Sequence, residues 1–238
     1  MTQKFIEKGY QVIEHTKKAD IYIINTCTVT NMSDRKSRQM LRRMKEQNKN
    51  AIVVAVGCYA QVAKEELKKI PEIDLVLGNN EKLKITDYVK DYIEKNENQI
   101  EIEDVMNSKE FYDFGDVTFT EKTRAVIKIQ DGCDRFCSYC IIPYARGRVR
   151  SRKPESIVSE IEKIAKEGIK EVVITGIHIA SYGKDFKNDY KLIDLLEELN
   201  NIKGIERIRL GSIEPLLITE EFVNRLKKLE KVCHHFHL

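Results

Sequence analysis

The chain has 238 residues, 42% hydrophobic and 33% charged, with 41 Lys and Arg against 38 Asp and Glu for a net charge of +3. That length suits one large domain or two modest ones, and the apolar share is enough for a buried core, which excludes a disordered tail. No apolar run approaches the ~20 residues of a membrane span, and residues 1–10 lack the apolar stretch of a secretory signal, so a soluble cytoplasmic protein is expected.

From the N-terminus, continuous apolar runs at 21–24, 52–56 and 73–77 read as strands buried on both faces, as in a parallel sheet. Helical stretches follow them at 34–47, 60–70 and 83–95, with Ser33 as the expected N-cap of the first. This is an open, doubly wound α/β layout. Residues 96–123 are first polar and acidic, then carry Phe111, Tyr112, Phe114 and Phe119. They read as a linker with one or two short strands. The domain break is placed near Thr118, giving an N-terminal domain with linker over 1–117 and a second domain over 118–238.

The second part restarts the alternation. A strand at 124–130 leads into a cysteine-bearing loop, and Pro154 opens a helix at its first turn, where its missing N–H costs nothing. Ile157, Ile161 and Ile164 give that helix its apolar face, and Gly168 is its C′ stop. A strand at 172–174, a helix at 192–199, a strand at 205–210, a helix at 221–229 and the start of a further strand at 232–238 complete the series. Strand–helix repeats with a loop-borne site at strand C-terminal ends predict a partial TIM-like barrel. Four strands cannot close one, so the sequence is expected to be a fragment.

The near-neutral balance hides two basic clusters. Arg35, Lys36, Arg38, Arg42, Arg43 and Lys45 form one; Arg146, Arg148, Arg150, Arg152 and Lys153 form the other, with no acid inside either run. They fit a polyanionic partner, or solvated helix faces and loops.

The cysteines are Cys27, Cys58, Cys133, Cys137, Cys140 and Cys233. In a cytoplasmic chain they point to metal or redox chemistry rather than a disulfide framework. Cys133, Cys137 and Cys140 form C-x3-C-x2-C directly after a strand. Three thiolates on one loop can hold three irons of a cubane cluster and leave the fourth open to substrate. A zinc site would favour four ligands in paired knuckles, and no second pair is present. Cys233 reads as a small buried thiol on a strand rather than a spare ligand, and no separate metal site is expected at His234, His235 and His237 beside it.

The C-x3-C-x-aromatic-C spacing resembles the radical S-adenosylmethionine (SAM) enzymes, whose three cysteines bind a [4Fe–4S] cluster that holds SAM on its free iron and releases a 5′-deoxyadenosyl radical. The resemblance implies that Tyr139 lies over the adenine of SAM. It also implies that Thr175 and Gly176, in the Thr175–His178 segment, meet its methionine amino group, and that Ser212 and Glu214 lie near its ribose and methionine ends. Asn25-Thr26-Cys27-Thr28-Val29-Thr30 and Val56-Gly57-Cys58-Tyr59-Ala60-Gln61 each end a strand with a cysteine. With Asp131-Gly132-Cys133 through Arg146-Gly147, they resemble the methylthiotransferases across essentially the whole chain. The wording at 25–31 and 174–179 is similar to the type that methylthiolates N6-threonylcarbamoyladenosine at tRNA position 37.

That resemblance implies two [4Fe–4S] clusters, the second an auxiliary cluster in the N-terminal domain held by Cys27 and Cys58, with SAM as cofactor and tRNA as substrate. It further implies an electron donor such as flavodoxin or ferredoxin, a monomer and no membrane. Arg146, Arg148, Arg150 and Arg152 are expected to line the mouth of the site and neutralise RNA phosphates, setting affinity and register. The family's first auxiliary cysteine and its later barrel strands and C-terminal RNA-binding domain have no counterpart here. The chain is therefore read as truncated at both ends, with an under-ligated auxiliary site, and as inactive alone. The alternatives are a methylthiotransferase for isopentenyladenosine or a ribosomal protein, and a non-catalytic iron–sulfur RNA-binding module.

Overall fold

Apolar runs rich in Ile and Val form most of the strands, and each parallel pairing requires a crossover that the amphipathic stretches supply. The computed structural model describes residues 1–95, 97–113 and 123–238. The expected break at Thr118, with Phe114 and Phe119, lies outside the described residues. Two units are distinguished: Met1–Ser108 with Phe136–Arg146, and Lys109–Arg135 with Gly147–Leu238.

The first unit runs α1 (Thr2–Glu7), β1 (Ile21–Thr26), α2 (Asn31–Gln47), β2 (Ile52–Gly57), α3 (Cys58–Val62), α4 (Lys64–Leu67), β3 (Leu75–Leu77), α5 (Ile85–Lys95) and β4 (Gln99–Glu101). Its sheet is wholly parallel in the order β1-β2-β3-β4. Along β2, Val53 and Ala55 join Leu41 and Met44 of α2, Tyr59 and Ala60 of α3 and Leu67 of α4 in one core. Val54 and Val56 meet Phe5, Ile85, Val89 and Tyr92 in another. Both faces are covered, as a doubly wound sheet requires, and a fully buried Leu41 or Ile85 contributes about 1.5–3 kcal/mol relative to exposure. The helix expected from Asp34 begins earlier, at Asn31. Its cap is Thr30 rather than Ser33: Thr30 Oγ1 accepts the Ser33 N–H at 3.1 Å, satisfying an orphan donor of the first turn. The helix expected over 60–70 starts at Cys58 and is interrupted at Ala63 (φ −116°, ψ 33°).

In the second unit β5 (Arg124–Asp131) precedes the cysteine loop, from which α6 (Ile142–Arg146) belongs to the first unit. There follow β6 (Arg150–Ser151), α7 (Pro154–Lys166), β7 (Glu171–Gly176), α8 (Leu192–Asn200), β8 (Arg207–Leu210) and α9 (Glu220–Leu226). The sheet order is β6-β5-β7-β8, with β5, β7 and β8 parallel and β6 antiparallel, an unanticipated short edge strand. Ala125, Ile127, Ile129, Val172, Ile174, Ile208 and Leu210 bury one sheet face against α7 and α8. The intervening Val126 is 51% exposed, and Lys128, Val173, Thr175 and Arg209 are half-buried. One helix-covered face and one open face make a partial barrel. Pro154 occupies the first turn of α7, and Gly168 (φ +90°) ends it with the Ile169 N–H bonded to Ile164 O at 3.3 Å. The strand expected over 232–238 appears as two parallel bridges, Ile208 to Val232 and Ser212 to His237.

Candidate metal centre

The pairing of β5 with β7 slips between Lys128 and Gln130, and a bulge of this kind re-aims side chains beside a site. Gln130 is wholly buried there. Its Nε2 donates to Asp131 O and Gly132 O, both at 2.7 Å, and its Oε1 accepts the His178 N–H at 2.7 Å. One amide thus ties the loop after β5 to the loop after β7. Gly132 has φ +73°, and a Cβ there would overlap the Arg148 carbonyl. Cys133 follows, buried, its N–H donating to Gly147 O at 3.0 Å.

Further along, Phe136 is the one non-glycine residue with positive φ (47°) among the described residues; it packs edge-on to Tyr144 at 5.8 Å between ring centroids. The Cys140 N–H donates to Cys137 O at 2.9 Å, a tight turn that leaves Cys137 exposed and Cys140 half-buried. Tyr139 is 90% exposed, an aromatic face free to receive a flat ligand. Cys133 belongs to the second unit, and Cys137 and Cys140 to the first.

Thr175 and Gly176 end β7, and a side chain at Gly176 would meet Gln130 O at 2.9 Å and Oε1 at 3.0 Å. Glu214, after β8, is bound by the Arg135 guanidinium and by His178 Nε2 at 3.1 Å; His178 Nδ1 lies 2.8 Å from Ser181 Oγ. Ser212 Oγ pairs with His237 Nδ1 at 2.7 Å. Sequence reasoning does not single out Gln130 or Arg135. A lone amide closing an apolar strand is the available signal for Gln130.

In the first unit Thr26 stands opposite Gly57, so Cys27 and Cys58 directly follow paired residues of neighbouring parallel strands. Ligands of open α/β sheets bind at this carboxyl edge. Thr26 Oγ1 donates to Val56 O at 2.9 Å and accepts the Ala60 N–H at 3.1 Å, joining both strand ends to α3. Gly57 has φ +113°, and a Cβ there would lie 2.5 Å from Thr26 O. Cys27 is exposed and Cys58 buried. Arg146 Nε donates to Cys58 Sγ at 3.1 Å, and Asn79 Nδ2 lies 3.8 Å from it. Asn79 also donates to Ala145 O at 2.7 Å and accepts from Lys82 Nζ at 2.9 Å.

The expected arginine stripe is largely internal. Arg150 is 2% exposed, 3.9 Å from Asp131 and over the Tyr112 ring. Arg152 is 7% exposed, bound to Asp113 Oδ2 at 2.7 Å and to Glu160. Their charges are neutralised by acids from distant positions, which corrects their assignment to a phosphate-facing surface. Arg146 is half-buried against Cys58; Arg148, 3.5 Å from Asp134, and Lys153 remain exposed.

The donor chemistry fits iron–sulfur binding: soft thiolates, three of them free cysteines on one loop and two at one sheet edge. Among the described residues no three His, Cys, Asp or Glu side chains are grouped to hold a single metal ion. A cubane cluster keeps its cysteine sulfurs farther apart than one zinc ion does.

Residues 1–78 match the Uncharacterized protein family UPF0004, and residues 127–238 the Radical SAM superfamily. The chain is 44% identical over 238 residues to the threonylcarbamoyladenosine tRNA methylthiotransferase MtaB of Aquifex aeolicus and 41% identical over 237 residues to MtaB of Bacillus subtilis. Its first part is thus similar to UPF0004 proteins, its second to radical SAM enzymes, and its whole length to tRNA methylthiotransferases. It is also 33% identical over 238 residues to a tRNA-2-methylthio-N(6)-dimethylallyladenosine synthase of Clostridium botulinum. These matches cover 100%, 99% and 98% of the chain, but only 58%, 52% and 52% of the relatives, so the chain spans little more than half the length of these relatives. Among solved structures, the radical SAM methyltransferase TsrM of Kitasatospora setae shares the fold with a TM-score of 0.58 at 17% identity, over 88% of this chain and 48% of that one. No helix among the described residues is long and apolar enough to cross a membrane.

Proposed function

We propose that this chain carries the cluster-bearing part of a cytoplasmic tRNA methylthiotransferase that adds a methylthio group to C2 of N6-threonylcarbamoyladenosine at position 37. The observation that carries the reading is the chain's higher identity to the threonylcarbamoyladenosine enzymes than to the dimethylallyladenosine synthases over the same span. When bound, a [4Fe–4S] cluster would supply the electron for reductive cleavage of SAM.

The chain's own residues bind and orient. Cys133, Cys137 and Cys140 each supply one thiolate, and Cys27 and Cys58 supply two to the auxiliary cluster. Gln130 holds the loops after β5 and β7 in register. Arg135 and His178 fix the carboxylate of Glu214, so its free lone pairs are available to a hydroxyl or ammonium group of SAM. Thr175, Gly176 and Ser212 line the same C-terminal edge, and Tyr139 offers its ring to the adenine. A one-electron donor such as flavodoxin or ferredoxin acts on the protein, which works as a monomer.

Deletion of the encoding gene, followed by mass spectrometry of tRNA nucleosides, tests the reading. Loss of 2-methylthio-N6-threonylcarbamoyladenosine is expected. Loss of the isopentenyladenosine product instead overturns the nucleoside assignment, and an unmodified ribosomal protein with normal tRNA overturns the RNA substrate.

A further inference from the structure

We propose that the exposed face of α2 formed by Arg35, Lys36, Arg42 and Arg43 is the surface along which the phosphate backbone of the substrate RNA lies. This inference rests on the tRNA reading above and names the binding surface within it. The cations of the first basic cluster divide into two classes. Arg38 donates to Tyr59 Oη at 2.5 Å and to Glu66 Oε1 at 2.9 Å, and Lys45 donates to Ala51 O and Asp74 Oδ2, both at 2.8 Å. Those two pin the helix to its own unit. Arg35, Lys36, Arg42 and Arg43 are all exposed, and among the described residues no ion pair reaches any of them.

Helical geometry arranges these four as a patch. Arg35 and Arg42, like Lys36 and Arg43, are seven residues apart, close to two turns, so each pair lies on one side about 10.5 Å apart along the axis. The opposite side, with Ser37, Leu41 and Met44, is buried. Carboxylates stand only at the ends of the helix, Asp34 in its first turn and Glu46 in its last. The patch begins next to the sheet edge that carries Cys27. Val29 and Met32, 64% and 60% exposed, lie between Cys27 and Arg35 and can pack against a ribose or base. The exposed side otherwise lacks the apolar stripe with which an amphipathic helix enters a membrane surface, so charge complementarity favours nucleic acid. The second basic cluster offers no equivalent patch, because Arg150 and Arg152 are buried against acids.

The test compares binding of an unmodified tRNA transcript by the full chain across salt concentrations. The quadruple variant Arg35→Gln, Lys36→Gln, Arg42→Gln, Arg43→Gln should flatten the slope of log affinity against log salt by about 3, at ~0.7–0.9 for each phosphate that is no longer neutralised. A charge-matched control on exposed lysines, Lys64→Gln, Lys68→Gln, Lys69→Gln, Lys84→Gln, should leave it unchanged. Should the quadruple variant lose helical circular dichroism, Arg35→Gln with Arg42→Gln alone should give half the change. An unchanged slope, or an equal change in the control, overturns the proposal. So does anionic-vesicle binding that the variant loses while its tRNA binding persists. If the parent chain binds no tRNA, the RNA reading itself fails and takes this inference with it.

Discussion

Arg146 Nε donates to Cys58 Sγ at 3.1 Å across 88 positions of sequence, joining the helix after the C-x3-C-x2-C loop to the cysteine that directly follows β2. Hydrogen bonds to cluster sulfurs tune and stabilise iron–sulfur centres, and losing an outer partner of a metal ligand typically costs 10–100-fold in affinity. In a background with Cys133, Cys137 and Cys140 changed to Ala, Arg146→Met should therefore release iron to a chelator about tenfold faster than its parent. Arg146→Lys, which keeps the charge, should fall between them. Equal release from all three would show that the hydrogen bond does not support the ligand.

Changing Cys133, Cys137 or Cys140 singly to Ala should abolish reductive SAM cleavage after anaerobic reconstitution, read as 5′-deoxyadenosine by chromatography. Each thiolate is the only protein ligand of one iron in the proposed cluster. Cys233→Ser should retain cleavage at the parent level. Cleavage surviving in the triple variant would remove the cluster from this loop.

Arg152 and Glu160 are buried, and removing one partner strands the other charge in the interior. Arg152→Ala should destabilise the second unit by about 3–5 kcal/mol, visible as a lower urea midpoint. It should leave the salt slope of tRNA binding unchanged. A flattened slope with unaltered stability would return Arg152 to the RNA surface.

Glu171 accepts from Arg207 Nε at 2.8 Å and Arg209 Nε at 3.2 Å, and the Arg207 hydrogen bond, opposed by burial and aided by Arg209, holds its carboxyl below the ordinary range. The folded state thus binds this proton less readily than the unfolded chain does. The resulting stability is fully present above the unfolded value, about 4.3, and is lost as pH falls through the lower folded value. The effect is moderate because Arg207 is half-exposed. Glu171→Gln should lower stability at neutral pH and make acid unfolding, followed by circular dichroism, less steep.

Interactions local in sequence are legible; those closed by distant partners are not. Strands β1, β2, β3, β5, β7 and β8, Pro154 opening α7 and Gly168 closing it follow from apolar runs and backbone restrictions a few residues long. The cysteine loop is equally local, eight residues after one strand. The fate of Arg150 and Arg152 depends on Asp131, Asp113 and Glu160, up to 39 positions away, and nothing in an arginine run distinguishes an ion-paired interior cation from a solvated one. Gln130 is hidden for the same reason, since its partner His178 arrives 48 positions later. The cap of α2 falls at Thr30 instead of Ser33, one turn earlier than expected, because both residues are competent caps.

The first sheet is ordered as the chain is ordered, β1-β2-β3-β4. During synthesis β2, β3 and β4 each therefore emerge directly after the strand they dock on, so every pairing joins strands that are consecutive in the chain. Phe136–Arg146 leaves the ribosome only after all four strands exist. The turn bearing Cys137 and Cys140 thus meets a finished surface, with Asn79 ready for Ala145 O and Cys58 for Arg146. Translation order makes the earlier part of the first unit a template for this turn, so a pause or misfold before residue 101 would leave Cys137 and Cys140 without it.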